Sequence, residues 1–141
     1  MTRYQQLLED YARLAGLEPA ELAVNQELRI ADLAVGLSAE GSQDEGNVVI
    51  FTSLGPPAPQ LPQERLMRLM LEANALWVGT GGCTLGLQAG TGAALLSARL
   101  PLVQCGAQAL SGALDGFVDV ALLWREVLQG RHSVDLPALA A

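Results

Sequence analysis

Residues 72–101, EANALWVGTGGCTLGLQAGTGAALLSARLP, decide the fold. No charged residue lies between Glu72 and Arg99, yet Gly79, Gly81, Gly82, Gly86, Gly90 and Gly92 interrupt the stretch, which excludes one continuous apolar helix. A helix entering it must stop near Gly79. Two period-two runs follow, Thr84–Gln88 and Ala93–Leu100, split by Ala89-Gly90-Thr91-Gly92, the turn chemistry of a β-hairpin. Helix, glycine stop and hairpin are therefore the organising unit.

The same run is long enough to suggest a membrane span, which needs roughly 20 apolar residues. Its glycines and threonines and the Ala89–Gly92 turn would leave backbone groups unpaired in lipid, so no membrane insertion is expected. A phosphate loop fails on direction: nucleotide motifs run strand, glycines, helix, whereas here a helix precedes the glycines. The chain also has no lysine for such a loop.

Upstream, Pro62 opens a helix through Leu66, Met67, Leu69, Met70, Leu71, Ala73, Leu76, Trp77 and Val78. These apolar positions cover more than one face. Such a helix must be buried on two sides, by its own sheet and by a second copy, so a homodimer is predicted. At the amino end, Thr2 and Gln5 have capping-box spacing. Tyr4, Leu7, Leu8, Tyr11, Leu14 and Ala15 recur at helical intervals before Gly16. After Pro19 come three strand-like runs, Leu28–Ile30, Leu33–Leu37 and Val48–Thr52, with the acidic connection Glu40–Asn47 before the third. Connections this short imply an antiparallel meander. Gly55–Pro59 is a stiff linker, and Leu110, Leu114, Phe117, Val118, Ala121, Trp124 and Leu128 make one stripe of a final helix. The expected order is α-β-β-β-α-β-β-α, an α+β fold with an antiparallel sheet packed against helices. Residues 1–129 read as a single domain and 130–141 as a flexible tail.

Composition narrows function. The net charge is −7 and all eight basic residues are arginines, so the basic footprint of a nucleic-acid binder is missing. Half of the 141 residues are hydrophobic, which leaves apolar surface for a partner to cover. The amino terminus lacks the apolar core of a signal peptide, so a cytoplasmic protein is expected. Cys83, Cys105 and His132 are too few and too scattered for zinc. His132, in the tail, lacks the rigid support that a catalytic dyad or triad needs. Glu40, Asp44 and Glu45 do not have the spacing of a calcium loop. No cofactor, metal or catalytic residue is expected, and the chain reads as a binding protein and not an enzyme.

Met70-Leu71-Glu72-Ala73-Asn74, the strand Gly81–Leu87, the Thr91-Gly92 turn and the exit Leu100-Pro101-Leu102 resemble the type III secretion chaperones of the Tir chaperone (CesT) family. The resemblance extends over about residues 3–129. It implies a class I chaperone, a cytoplasmic homodimer that binds the amino-terminal unfolded segment of a secreted effector and keeps it export-competent. By position, it implies a two-fold interface of Leu66, Leu69, Met70, Ala73, Trp77, Leu85 and Leu87. It likewise places effector-binding grooves at Leu7, Tyr11, Leu28, Ile30, Leu33, Val35 and Ile50, each of which is equally readable as core. Two alternatives stay open: a protein of the same fold that sequesters a regulator of secretion genes, and a small-ligand-binding domain.

Overall fold

The computed structural model describes residues 1–136. Its elements are α1 (Arg3–Ala15), α2 (Pro19–Asn25), β1 (Glu27–Ile30), β2 (Leu33–Glu40), β3 (Asn47–Gly55), α3 (Gln63–Asn74), β4 (Thr84–Leu87), β5 (Ala94–Pro101) and α4 (Ala107–Leu128). The strand order is β1-β2-β3-β5-β4, antiparallel along the β1–β2, β2–β3 and β4–β5 pairs. This is the α+β fold expected, with α2 added. The chain divides into two compact units, Met1–Thr52 with Ala98–Val118, and Ser53–Ser97 with the chain from Asp119 on. The tail expected from residue 130 falls partly on residues 137–141, which lie outside the described residues. Among the described residues, no helix is long and apolar enough to cross a membrane.

In the first unit, α1 is fixed at both ends. Thr2 Oγ1 accepts from Gln5 N at 3.2 Å while Gln5 Oε1 accepts from Thr2 N at 3.0 Å, the reciprocal cap that the spacing predicts. Gly16 closes the helix, with Leu17 N donating to Ala12 O at 2.7 Å. Tyr4, Leu7, Leu8, Tyr11 and Ala12 form its buried face. The acidic connection after β2 does more than link strands. Asp44 Oδ1 accepts from Arg3 N at 3.0 Å and Gln43 O from Tyr4 N at 2.9 Å, so this loop satisfies donors that a helix start leaves orphaned.

α2 escapes the sequence reading because seven residues with one buried side chain, Leu22, show no periodicity. It begins at Pro19, with Glu18 Oε1 accepting from Ala20 N at 3.4 Å. It ends at Gln26, whose Oε1 accepts a 2.6 Å bond from the Tyr4 hydroxyl. Ala31 and Asp32, with φ of 48° and 70°, make the primed turn that joins β1 to β2. Opposite Gly36, the Phe51 ring lies so close that a β-carbon there would meet Cζ at 2.3 Å. A larger residue at position 36 would have to push the exposed Phe51 ring aside.

In the second unit, α3 buries Leu66, Met70 and Ala73. It ends at Asn74, not at Gly79 as the glycine stop suggests. Leu76 and Trp77 take positive φ of 52° and 57°, and the Asn74 side chain is claimed by β4. Asn74 Nδ2 donates to Leu85 O and Asn74 Oδ1 accepts from Leu85 N, both at 2.8 Å. Gly79 serves a different purpose: a β-carbon there would sit 2.7 Å from Ala73 Cβ. Its carbonyl accepts from Trp124 Nε1 at 2.9 Å, which satisfies the indole of a fully buried tryptophan. The β4–β5 hairpin pairs Thr84 with Ser97 and Leu87 with Ala94, and Gln88 N donates to Ala93 O at 2.8 Å across its turn. Cys83 and Cys105 are free thiols, and burial pushes both upward, away from the reactive thiolate.

Two outcomes follow for stability. Asn74→Ala removes both partners of Leu85 and should cost about 1–3 kcal/mol, measured by urea denaturation. Asn74→Asp should be no better, since its carboxylate can accept from Leu85 N but opposes Leu85 O; a wild-type midpoint for both variants would show the pairing to be dispensable. The second outcome concerns alkali. Burial pushes the Tyr4 hydroxyl from 10.0 up to about 12, so between those pH values the folded state keeps a proton that the unfolded chain gives up. Stability should fall as pH rises through that window. Tyr4→Phe should flatten the fall, and an unchanged slope would refute the assignment.

Candidate functional site

β1 and β4 stand at the ends of the strand order, so each has one side without a strand partner. The two sides differ. Along β1, Leu37 N donates to Gln26 O at 2.9 Å, and antiparallel alternation then directs the backbone groups of Glu27 and Arg29 away from β2. Among the described residues, no backbone bond takes them up. Beside this strand lies a groove of about 300 Å³. Its apolar lining is Tyr11, Leu22 and Leu28, which are buried, half-buried Ile30, and the exposed Ala15 and Leu17; Glu18, Glu21, Asn25, Glu27 and Arg29 complete it as a polar rim. Every residue of β1 touches it. Helix α1 positions Tyr11 by its buried stripe, and α2 supplies Leu22 and the acidic rim. Burial, with the Asp115 charge adding to it, pushes the Tyr11 hydroxyl upward, so it stays a neutral donor at physiological pH.

Of the residues assigned to effector binding, Tyr11, Leu28 and Ile30 line this groove. Leu7, Leu33, Val35 and Ile50 do not line it; they are buried. Leu17 and Leu22 belong to the groove and escaped the sequence reading, because the segment holding them is a loop and a helix of seven residues.

Along β4, alternation from the Gln88–Ala93 bond turns the backbone groups of Leu85 and Leu87 outward, and Asn74 takes those of Leu85. A second groove of about 370 Å³ follows, between Met67, Met70, Leu71 and Asn74 of α3 and Leu85, Gly86 and Leu87 of β4. Of its lining, Leu71 is 71% exposed and Leu87 49%, and after α3 the residues Leu76 and Trp77 are 73% and 55% exposed, more exposed apolar side chain than a free surface usually carries. Of the residues assigned to the two-fold interface, Met70, Leu85 and Leu87 line this groove and Trp77 is exposed. Leu66 and Ala73 are buried, and Leu69 is half-buried, lining a separate shallow groove with Arg65 and His132. Leu71 and Met67, absent from the assignment, carry much of the exposed face.

Among the described residues, no three His, Cys, Asp or Glu side chains gather as metal ligands. The chemistry on display is that of association: apolar grooves, unpaired strand backbone and a charged rim.

Three solved structures share this fold. The structure of the HopA1–SchA chaperone–effector complex matches with a TM-score of 0.69 at 22% identity, over 88% of this chain and 94% of that one. The Yersinia pestis type III secretion chaperone SycH, in complex with a stable fragment of YscM2, matches at 0.64 and 24% identity, over 84% and 97%. The ExsC–ExsE complex matches at 0.72 and 18% identity, over 92% and 98%. No curated protein matches significantly by sequence. Residues 6–125, which include most of α1, α2, the meander, α3, the hairpin and most of α4, match the model of one family. The chain belongs to the Tir chaperone protein (CesT) family.

Proposed function

We propose that the protein is a class I type III secretion chaperone, a cytoplasmic homodimer that holds the amino-terminal segment of a secreted effector extended, soluble and competent for export. The observation that carries the reading is the groove beside β1, where an apolar lining adjoins strand backbone that has no partner. An extended peptide laid there satisfies its own backbone on β1 while alternate side chains reach that lining. Apolar burial contributes roughly 25 cal/mol per Å², against several kcal/mol for ordering a disordered segment. A long client segment is therefore required, and binding is stoichiometric, without covalent chemistry. The working domain is residues 1–129, with 130–141 as a tail.

The homodimer is supported by the second groove. Leu71 and Leu87, exposed along this groove, with the exposed Leu76 and Trp77 that follow α3, are what a second copy would cover. Light scattering should return twice the mass of one chain. Trp77→Arg and Leu71→Arg should return the mass of one chain with helix content kept, because these side chains are solvent-exposed until a second copy desolvates them. A wild-type protein that stays at one-chain mass at every concentration refutes the dimer.

Client binding is tested by retrieval from the native cytosol. The tagged chain should capture a secreted protein through a stretch near its amino terminus, and Ile30→Arg should abolish capture while leaving the mass unchanged. Recovery of a transcriptional regulator alone would establish the regulator-sequestering reading instead.

A further inference from the structure

One side of α3 is covered by the chain itself. At the end of α4, Gly130 takes a left-handed φ of 76°, packed so tightly that a β-carbon there would meet Leu61 Cδ2 at 2.9 Å. Arg131 N donates to Glu126 O at 2.9 Å, and the Arg131 guanidinium donates to both oxygens of the Glu126 carboxylate at 2.6 and 3.2 Å. This closure turns the chain back. Residues 132–134 then line the shallow groove with Leu61, Pro62, Leu66 and Leu69. Leu136 reaches Gly79, where a β-carbon would meet Leu136 Cδ2 at 2.6 Å and Ala73 Cβ at 2.7 Å. The segment therefore follows α3 from its start to its last turn. The lengths agree, since Pro62 to Ala73 is about 16 Å of helix and the steps from Gly130 to Leu136 span about 20 Å of extended chain.

Val134 and Leu136 are half-buried and Asp135 between them is exposed, the alternation of an extended segment laid on an apolar surface. Among the described residues, no hydrogen bond holds residues 132–136, so the apolar side chains seat them. Leu66, Leu69 and Ala73 recur at i, i+3 and i+7 and form the stripe beneath this segment. Met67 and Leu71, four residues apart, form the next stripe and stay open beside β4. Resting on the dimer reading above, we propose that residues 131–136 are a strap that keeps the Leu66–Leu69 side of α3 from a second copy and so directs that copy to the Leu71–Leu87 side. The burial expected of Leu66 and Leu69 from a partner is then supplied within the chain, and a competing mode of association is blocked.

The test compares the wild type with Val134→Ser/Leu136→Ser, which removes both apolar seats without adding charge, and with Asp135→Asn, which alters only the exposed position between them. The serine pair should lower the urea midpoint by roughly 0.5–1 M and give a light-scattering mass above that of the wild type. Leu69→Arg added to the pair should return the mass to the wild-type value with helix content kept, and Asp135→Asn should change neither readout. If the serine pair loses its helix content, Leu136→Ala alone is scored by the same readouts. An unchanged midpoint overturns the strap. A lowered midpoint at wild-type mass, or an added mass that survives Leu69→Arg, overturns its part in choosing the face. A wild type of one-chain mass refutes the dimer reading, and the serine pair, scored against that mass, still decides whether the strap blocks association.

Discussion

One side-chain amide sets the form of the second unit. Asn74 meets both backbone groups of Leu85 at 2.8 Å, so it does for β4 what a neighbouring strand would do, at a single residue. The helix ends there because Ala75 is extended and the following residues Leu76 and Trp77 turn into left-handed geometry. That turn leaves Leu76 and Trp77 exposed, as Leu71 is on α3. The polar pairing itself holds β4 against the end of α3. It also takes the backbone of Leu85 out of use for strand addition, which favours side-chain packing over sheet extension as the way another chain would cover α3 and β4.

β1 has no equivalent of Asn74. The outward backbone groups of Glu27 and Arg29 stay open, and the adjoining groove is lined by the buried Tyr11, Leu22 and Leu28 together with the exposed Leu17. Open strand edges invite indiscriminate pairing. Here the hazard is contained by length, four residues, and by charge, since the strand alternates leucine and isoleucine with glutamate and arginine. Those devices limit what can add to β1 without closing it.

Much of the fold was legible in the sequence because it rests on local chemistry. The Thr2–Gln5 cap, the Gly16 stop, the Gly90–Gly92 turn and the buried stripe of α4 each follow from residues a few positions apart. What escaped depends on contacts between distant segments. Asn74 reads as an ordinary helix residue until Leu85 is beside it, and Gly79 reads as a helix stop when its size is required by Ala73. α2 lacks periodicity because seven residues present only Leu22 inward. Groove and core proved inseparable for the same reason. Leu33 and Ile50 have the same apolar character and alternation as Leu28 and Ile30, and only the three-dimensional placement of α1 and α2 decides which pair is left with a space beside it.

The size of that space constrains how a chaperone of this kind can act. About 300 Å³ is the lower end of the range for small-ligand pockets, room for a few side chains and not for a folded element. No single groove of that volume can supply high affinity after the entropy of ordering a flexible segment is subtracted. On the proposed reading, affinity comes from repetition along the client, and the proposed two-fold dimer would present the groove twice. Once one copy is engaged, the second binding event is intramolecular, with an effective concentration set by the stretch of client between the anchors. Weak, reversible contacts can then add to firm retention, while each remains easy to release one at a time when the client is pulled away from an end.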